Sequence, residues 1–258
     1  MGNVLSHRPR KRFGQHFLTD AGVLQRMTDC IRPRVQDRML EIGPGDGALT
    51  EYLYGQVGRY VAVEIDRDLV PFLRARFAGL EVVNADVLRV DLDDLLGDGG
   101  WRVVGNLPYN ISTPLLVRLL GCLDRIEDMH FMLQREVTAR LAAAPNSKAW
   151  GRITVLMQYH CEVEQLFEVA PESFEPPPRV YSAVVRLRPR KQRLPLERAE
   201  ALDLVLRHAF SQRRKRLSNA LQSLTIDWQR AGVDPGARAD QIDVAGYVAL
   251  ANALQEDR

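Results

Sequence analysis

The sequence predicts an α/β fold, in which a mostly parallel sheet with helices on both faces is followed by a small helical domain. Short apolar runs alternate with segments of helical period over about the first 190 residues. A glycine-rich turn at residues 43–47 directly follows the first apolar run, where glycines let the backbone turn tightly and approach a ligand. Helical patterns follow a Pro- and Arg-rich linker at 188–195. We therefore predict two domains, 1–190 and 191–258.

The predicted elements follow one another in a regular order. Short apolar runs predict strands at 38–42, 60–65, 80–83, 102–105 and 129–133. Helical periodicity predicts helices after the glycine turn, around Val70, Leu73 and Phe77, and at 113–120 and 135–144. The alternating segment 180–187 predicts a late antiparallel strand. Three further helices are expected in the small domain, at 197–210, 215–224 and 244–254.

The composition excludes several classes of protein. Of the 258 residues 46% are hydrophobic and 26% charged, which is typical of globular domains and not of disordered chains. There is no apolar run of about 18 residues and no signal peptide, so we expect no membrane span and a cytoplasmic protein. Cys30, Cys122 and Cys161 are far apart in the sequence, so neither a metal site nor a disulfide is expected. We also expect a monomer.

The formal net charge of +2 conceals an uneven distribution. Residues 39–100 carry 5 Lys/Arg against 12 Asp/Glu, whereas residues 1–38 carry 8 against 3. Basic residues cluster at 8–12, 186–193 and 213–216. Such clusters either follow a phosphate backbone or are solvated faces and helix ends.

The glycine turn has features that select its ligand. The spacing is G-x-G-x-G rather than the dinucleotide pattern G-x-G-x-x-G, and Glu41 precedes the turn. An acidic neighbour disfavours a pyrophosphate and suits a cationic ligand such as S-adenosylmethionine. Glu64 ends the second predicted strand, where a carboxylate accepts hydrogen bonds from ribose hydroxyls. Asp86 follows the third strand and either accepts from an adenine amine or simply caps a turn.

A second motif, Asn106-Leu107-Pro108-Tyr109, follows the fourth predicted strand. The Asn106 amide oxygen can accept a hydrogen bond from an amino group. Pro108 stiffens the turn and holds the Leu107 carbonyl as a second acceptor, while Tyr109 offers a stacking face for a base. The alternative is an Asn–Pro turn with a core tyrosine.

These two motifs are similar to the N6-adenine methyltransferase pattern, and the chain from about residue 8 to residue 250 resembles the bacterial small-subunit ribosomal RNA adenine dimethyltransferases. Four further segments carry the resemblance: RKRFGQHFL at 10–18, PNSKAWGR at 145–152, FEPPPRVYSAV at 174–184 and FSQRRK at 210–215. One position departs from the family, because His16 stands where asparagine is more usual.

The resemblance implies a Rossmann-like class I S-adenosylmethionine-dependent methyltransferase fold with a C-terminal RNA-docking domain. The implied reaction transfers methyl groups to N6 of two adjacent adenosines near the 3′ end of 16S ribosomal RNA in the small subunit, leaving S-adenosylhomocysteine. The predicted catalytic residues are Asn106, Leu107, Pro108, Tyr109 and Phe174. The predicted donor contacts are His16, Leu18, Gly43, Glu64, Asp86 and Asn106. The predicted RNA contacts are Arg10, Lys11, Arg12, Arg213, Arg214, Lys215 and Arg216.

Other functions stay open at this point. Phe174 could close the adenine pocket opposite Tyr109 or could be a core residue beside three prolines. The chain could act mainly as a non-catalytic assembly checkpoint, although an intact Asn106–Tyr109 motif argues against this. It could also be a large-subunit RNA methyltransferase, a DNA adenine methyltransferase or a nicotinamide-dependent oxidoreductase. The glycine spacing argues against the last of these, and the short tail against a DNA enzyme.

Overall fold

The computed structural model describes residues 16–255 and divides the chain into two compact units. Of the described residues, the first unit contains 16–138 and Glu164–Pro189, and the second contains Ala139–Val163 and 190–255. Residues 139–163, which the sequence assigned to the first domain, therefore lie in the second unit. The reason is that a helix in this segment packs within that unit, where Arg152 donates to the Asp203 carboxylate at 2.9 and 2.6 Å.

In the described part of the chain, the strands are β1 (Phe17–Leu18), β2 (Arg38–Ile42), β3 (Arg59–Glu64), β4 (Glu81–Asn84), β5 (Trp101–Asn106), β6 (Ile126–Gln134), β7 (Cys161–Val169), β8 (Phe174–Glu175) and β9 (Ser182–Pro189). Seven of them form one sheet in the order β4-β3-β2-β5-β6-β9-β7. Strands β2 to β6 pair in parallel, and β9 is antiparallel to β6, as the alternating pattern predicted. The two short strands β1 and β8 form a separate antiparallel pair.

Helices connect the strands and make up most of the second unit. They are α1 (Ala21–Ile31), α2 (Ala48–Leu53), α3 (Leu69–Arg76), α4 (Leu92–Leu96), α5 (Ser112–Leu119), α6 (Arg135–Leu141), α7 (Arg152–His160), α8 (Ala199–Ser211), α9 (Leu217–Ala220), α10 (Trp228–Ala231) and α11 (Val244–Asn252), with short 3₁₀ turns at Leu120–Arg125, Pro171–Ser173 and Ala239–Gln241. Within residues 16–255, no helix combines the length and the apolar character that crossing a membrane requires.

The central strands of the sheet are buried on both faces. Residues such as Leu40, Val61 and Val103 are completely buried, which explains why these strands read as continuous apolar runs. Gly105 allows β5 to lie close to β2, because a Cβ atom there would be 2.4 Å from the Ile42 carbonyl oxygen. Strand β5 ends one residue later, at Asn106.

The second unit has an apolar core of its own. Helix α8 buries one face, which includes Leu202 and Val205, and α11 contributes Tyr247. The Tyr247 hydroxyl donates to the Ala239 carbonyl at 2.6 Å, and its ring centroid lies 5.6 Å from that of Phe210. A buried aromatic residue that also satisfies its hydroxyl group stabilises this small helical unit.

Helix α1 was not predicted, and the length of α9 was predicted wrongly. Helix α1 begins after Asp20, whose carboxylate accepts from the backbone N–H groups of Gly22 and Val23. Because aspartate is a favoured N-cap residue, the start of α1 after Asp20 could have been predicted from the sequence. The helix predicted at 215–224 is wrong in length, since α9 covers only Leu217–Ala220.

Candidate active site

A cavity opens at the carboxyl ends of the parallel strands, next to the point where the strand order reverses around β2. It encloses about 1170 Å³ of empty space, part of it open to solvent. Every residue predicted as catalytic or donor-binding lines this cavity: His16, Leu18, Gly43, Glu64, Asp86, Asn106, Leu107, Pro108, Tyr109 and Phe174. The structure therefore brings the predicted site together, while the role of each residue stays a prediction.

The glycine turn forms one wall of the cavity. Gly43 and Gly45 adopt φ values of 67° and 60°, which residues with a Cβ rarely adopt. At Gly45 a Cβ would also lie 3.0 Å from the ring of Phe17. The Gly45 N–H donates to the Glu64 carboxylate at 3.1 Å, so the turn is tied to the end of β3.

Glu64 and Asp86 are both held in place by backbone amides. The Glu64 carboxylate is 3% exposed and also accepts from the Asp66 N–H at 2.8 Å. Burial raises its pKa. Asp86 accepts from the Leu88 N–H at 2.9 Å, and its carboxylate lies 3.5 Å from Arg89 Nε. Asp86 thus caps a turn and lines the cavity at the same time. Carboxylate oxygens have further lone pairs, so both residues can still accept from a ligand.

Glu41 lies beneath the glycine turn and is only 1% exposed. One of its carboxyl oxygens accepts hydrogen bonds from the Thr50 hydroxyl at 2.5 Å and the Tyr60 hydroxyl at 2.7 Å. Burial raises the pKa of Glu41 from 4.5 to about 7, and these two hydrogen bonds offset only part of that effect. The sequence suggested a fixed negative charge at this position. In the structure Glu41 is a buried carboxyl that titrates near neutral pH.

We expect Glu41 to make the stability of the fold depend on pH. Because its pKa is raised from 4.5 to about 7 in the folded state, the folded protein retains a proton that the unfolded chain releases between these values. The contribution of Glu41 to the free energy of unfolding therefore falls as the pH rises from 4.5 to about 7, by on the order of 3 kcal/mol in total. Urea unfolding at about pH 5 and about pH 8 measures it. In Glu41→Gln, which cannot ionise, the pH dependence should be smaller, and an unchanged dependence would contradict the assignment.

The orientation of the Asn106 amide is set by a residue far away in the sequence. Asn106 Nδ2 donates to the backbone carbonyl of His16 at 3.2 Å. Because Oδ1 and Nδ2 share one planar group, this bond also fixes the direction of Oδ1 at the cavity wall. In the same turn, the Leu107 N–H donates to the Met132 carbonyl at 3.1 Å. The motif is thereby attached to β6 on one side and to the segment preceding β1 on the other.

Aromatic side chains form the second half of the site. The Tyr109 ring is half-buried and stacks on the His16 ring, with centroids 5.9 Å apart and planes inclined by 25°. The Tyr109 hydroxyl forms a 3.0 Å hydrogen bond with the Ser182 hydroxyl, and burial raises the pKa of Tyr109. Phe174 is 3% exposed, belongs to the hydrophobic core and pairs with Leu18 across the β1–β8 ladder. Phe174 is therefore a core residue that also lines the cavity, and its role in closing an adenine pocket stays a prediction.

Three contributors to this site escaped the sequence prediction. Ser182 contacts Tyr109, and the Pro176 carbonyl accepts from His16 Nδ1 at 2.7 Å. Neither forms a motif with its partner, which is more than 70 residues away in the chain. Ile65 lines the cavity and is 46% exposed. Ile65 could have been predicted from the sequence, because it directly follows Glu64 at the end of a predicted strand.

The predicted RNA contacts are found in different environments. Arg10, Lys11 and Arg12 lie outside the described residues. The Arg213 guanidinium donates to the carbonyls of Ser147 and Lys148 at 3.0 and 2.9 Å, so it supports the second unit. The other three predicted contacts are exposed: Arg214, Lys215 and Arg216.

Residues 6–256 match the family model described as ribosomal RNA adenine dimethylase. The chain is 50% identical to "Ribosomal RNA small subunit methyltransferase A" of Pseudomonas aeruginosa over 264 residues, covering 99% of this chain and 98% of the relative. It is 51% identical to the protein of the same name from Nitrosococcus oceani over 255 residues, covering 96% and 97% of the two chains.

Solved structures also resemble this fold. A dimethyladenosine transferase from Plasmodium falciparum superposes with a TM-score of 0.77 at 22% identity, covering 91% of this chain and 96% of its own. The 23S rRNA methyltransferase ErmE superposes with a TM-score of 0.72 at 27% identity, covering 92% and 99%. Both similarities extend over the two units.

Proposed function

Because this chain belongs to the ribosomal RNA adenine dimethylase family and is an S-adenosylmethionine-dependent adenine N6-dimethyltransferase of 16S ribosomal RNA, we propose that its targets are two adjacent adenosines near the 3′ end of that RNA in the small ribosomal subunit. The observation that carries the proposal is the Asn106–Tyr109 motif in the wall of the cavity that the glycine turn borders. Small subunits occur in the cytoplasm, where we propose that the chain acts as a monomer.

The residues around the cavity fit the methyl donor. A nucleoside with a cationic sulfur and no phosphate needs acceptors for its ribose and its amines, together with apolar walls. Glu64 and Asp86 offer such acceptors, and Leu18 and Ile65 offer apolar surface. We propose that His16, Leu18, Gly43, Glu64, Asp86 and Asn106 hold S-adenosylmethionine. When bound, it supplies an electrophilic methyl group, and S-adenosylhomocysteine is released.

The chain's own residues contribute to the reaction by positioning the amino group of the target adenine. The lone pair of adenine N6 is delocalised into the ring, so N6 is a weak nucleophile. We propose that Asn106 Oδ1 and the Leu107 carbonyl accept the two N6–H groups, which favours a pyramidal nitrogen. The hydrogen bond from Asn106 Nδ2 to His16 supports this role, because it sets the direction of Oδ1. The same acceptors would stabilise positive charge on N6 in the transition state.

An extruded adenine also needs surfaces on which to stack. We propose that Tyr109 stacks on one face of the base and Phe174 closes the other. The hydrogen bond between Tyr109 and Ser182 supports a fixed position for the Tyr109 ring. After the first transfer the methylated N6 is cationic and releases one of its two protons to solvent. It then carries a single N–H, so the base must turn before the second methyl is added.

Labelled methyl transfer to unmethylated small subunits tests the proposed function. We expect label to enter the 16S RNA, and nuclease digestion followed by mass spectrometry should recover N6,N6-dimethyladenosine from two adjacent positions. Isolated large subunits are the control substrate. No incorporation into small subunits, or equal incorporation into large subunits, would overturn the proposal. The first outcome would favour a non-catalytic checkpoint, and the second would favour large-subunit specificity.

Arg214 and Lys215 supply a prediction about RNA docking. Both are exposed, and we propose that they contact RNA phosphates. The double change Arg214→Ala, Lys215→Ala should weaken binding to small subunits and lower the slope of log affinity against log salt concentration by about 1 to 2. Filter binding over a range of salt concentrations measures this. Arg230→Ala is the control, because this exposed arginine of the same unit pairs with Glu197. An unchanged slope in the double variant would exclude phosphate contacts.

A further inference from the structure

The chain from Phe174 to Ser182 connects two residues of the candidate active site. Phe174 lines the cavity, and Ser182 forms the hydrogen bond with the Tyr109 hydroxyl. Between them, residues 175–181 form a segment that we call the border segment. The residue before the border segment lines the cavity, and the residue after it contacts Tyr109 in the cavity wall. The border segment is attached there a third time, since His16 donates to the Pro176 carbonyl.

The end of the border segment exposes a large apolar surface. Val180 and Tyr181 are consecutive residues and are 44% and 46% exposed. The neighbouring Arg179 is exposed as well. A half-exposed tyrosine gains little from the hydrophobic core, so its stability contribution does not explain its placement beside the pocket.

Arg135 holds Tyr181 in a defined position. The Arg135 N–H donates to the Tyr181 carbonyl at 2.9 Å, and the Arg135 guanidinium carbon lies 5.0 Å from the centroid of the Tyr181 ring. Arg135 Nη1 is 3.4 Å from the Glu168 carboxylate, which restrains the guanidinium in turn. The ring therefore has a cation on one side and remains about half accessible.

A restrained aromatic ring with an arginine beside it matches the chemistry of a nucleotide. Single-stranded RNA is bound by stacking unpaired bases on aromatic side chains, with cations near the phosphates. An adenosine that leaves its stack to enter the pocket also exposes the base next to it. Tyr181 directly precedes Ser182, whose hydroxyl forms the hydrogen bond with Tyr109, so the Tyr181 backbone is one residue from a contact with the cavity wall.

We propose that Tyr181, restrained by Arg135, is a stacking site for the RNA nucleotide next to the adenosine in the cavity. The inference rests on the proposed function, since it requires an RNA substrate whose target base is extruded. It assigns Tyr181 a substrate-binding role that the catalytic motif does not supply. For a pair of adjacent targets, one base would occupy the pocket while its neighbour stacks on Tyr181.

Substitutions of Tyr181 test the proposal. Tyr181→Leu keeps an apolar side chain of moderate size but removes the aromatic face. We expect it to raise KM for unmethylated small subunits about tenfold, with little change in kcat for the first methyl transfer. Tyr181→Phe keeps the ring and should retain a KM within about twofold of the unaltered chain. Val180→Ala, which truncates the exposed neighbour, is the matched control and should leave KM unchanged.

Three additional readouts separate the possible outcomes. The melting temperature and calorimetric S-adenosylmethionine affinity of Tyr181→Leu should equal those of the unaltered chain, because the ring is half-exposed. An unchanged KM, an equal rise in Tyr181→Phe, or a KM rise accompanied by loss of folding would each overturn the stacking role. Methyl incorporation by the unaltered chain tests the proposed function independently. If incorporation were absent while binding of small subunits still weakened only in the Leu variant, Tyr181 would contact RNA, but the proposed function would fail and with it the stacking role beside an extruded adenosine.

Discussion

Replacing Asn106 with alanine is expected to lower kcat for methyl transfer by about 10²- to 10³-fold, the effect of removing one positioned hydrogen-bonding group from a transition state. The amide oxygen is the acceptor proposed for N6–H, and its direction depends on the bond from Nδ2 to the His16 carbonyl. Alanine removes both groups. The Leu107 carbonyl alone would then orient the amine.

Single-turnover label transfer to unmethylated small subunits measures this loss. Asn106→Asp is the informative companion, because it keeps two acceptor oxygens but loses the donor to His16. We expect it to retain more activity than alanine. In Asn106→Ala, the affinity for S-adenosylmethionine measured by calorimetry should fall by a smaller factor than kcat does. Activity above about a tenth of the original, or a kcat loss fully explained by weaker donor binding, would contradict the proposed role.

Replacing Arg102 with methionine is expected to destabilise the fold by about 3 to 5 kcal/mol. Arg102 is 8% exposed, and its guanidinium donates to Asp37 at 2.8 Å and to Asp128 at 3.0 and 2.8 Å. It also donates to the backbone carbonyls of Ile31 and Arg32. Methionine would leave largely buried carboxylates without their cation. This cost greatly exceeds that of losing an exposed ion pair.

Urea unfolding measures the effect, and two companion variants establish its cause. Arg59→Met removes an exposed arginine that pairs with Glu81 at 3.2 Å, and we expect a loss of about 1 kcal/mol at most. Adding Asp37→Asn and Asp128→Asn to Arg102→Met should recover part of the stability, because the buried charges are then absent. If the triple variant were less stable than Arg102→Met alone, uncompensated charge would not be the cause.

The fold was largely predictable because its signals are local. The runs at β2, β3 and β5 are buried on both faces, so they appear in the sequence as uninterrupted apolar segments. The antiparallel strand β9 was recognised from its alternation. Helix α7 and strand β7 were not predicted, and the placement of residues 139–163 in the second unit followed from contacts such as that between Arg152 and Asp203. Periodicity reports that a segment is buried, but not which partner buries it.

For four residues of the candidate site, the sequence by itself determined that they meet. Gly43, Glu64, Asp86 and Asn106 each stand at or just beyond the end of a strand, and parallel strands bring their carboxyl ends to one edge of the sheet. No long-range information is needed for this inference, because the direction of each strand follows from the alternation of strands and helices.

Only the tertiary structure decided how those residues are held. The bond from Asn106 to His16 joins positions 90 residues apart, and that between Tyr109 and Ser182 joins positions 73 apart. Burial of Glu41, which raises its pKa to about 7, likewise depends on packing around Thr50 and Tyr60. The exposure of Tyr181 beside Arg135 has the same origin. Hydrogen-bond direction, desolvation and exposure depend on neighbours that the fold supplies, and a local sequence pattern carries no record of them.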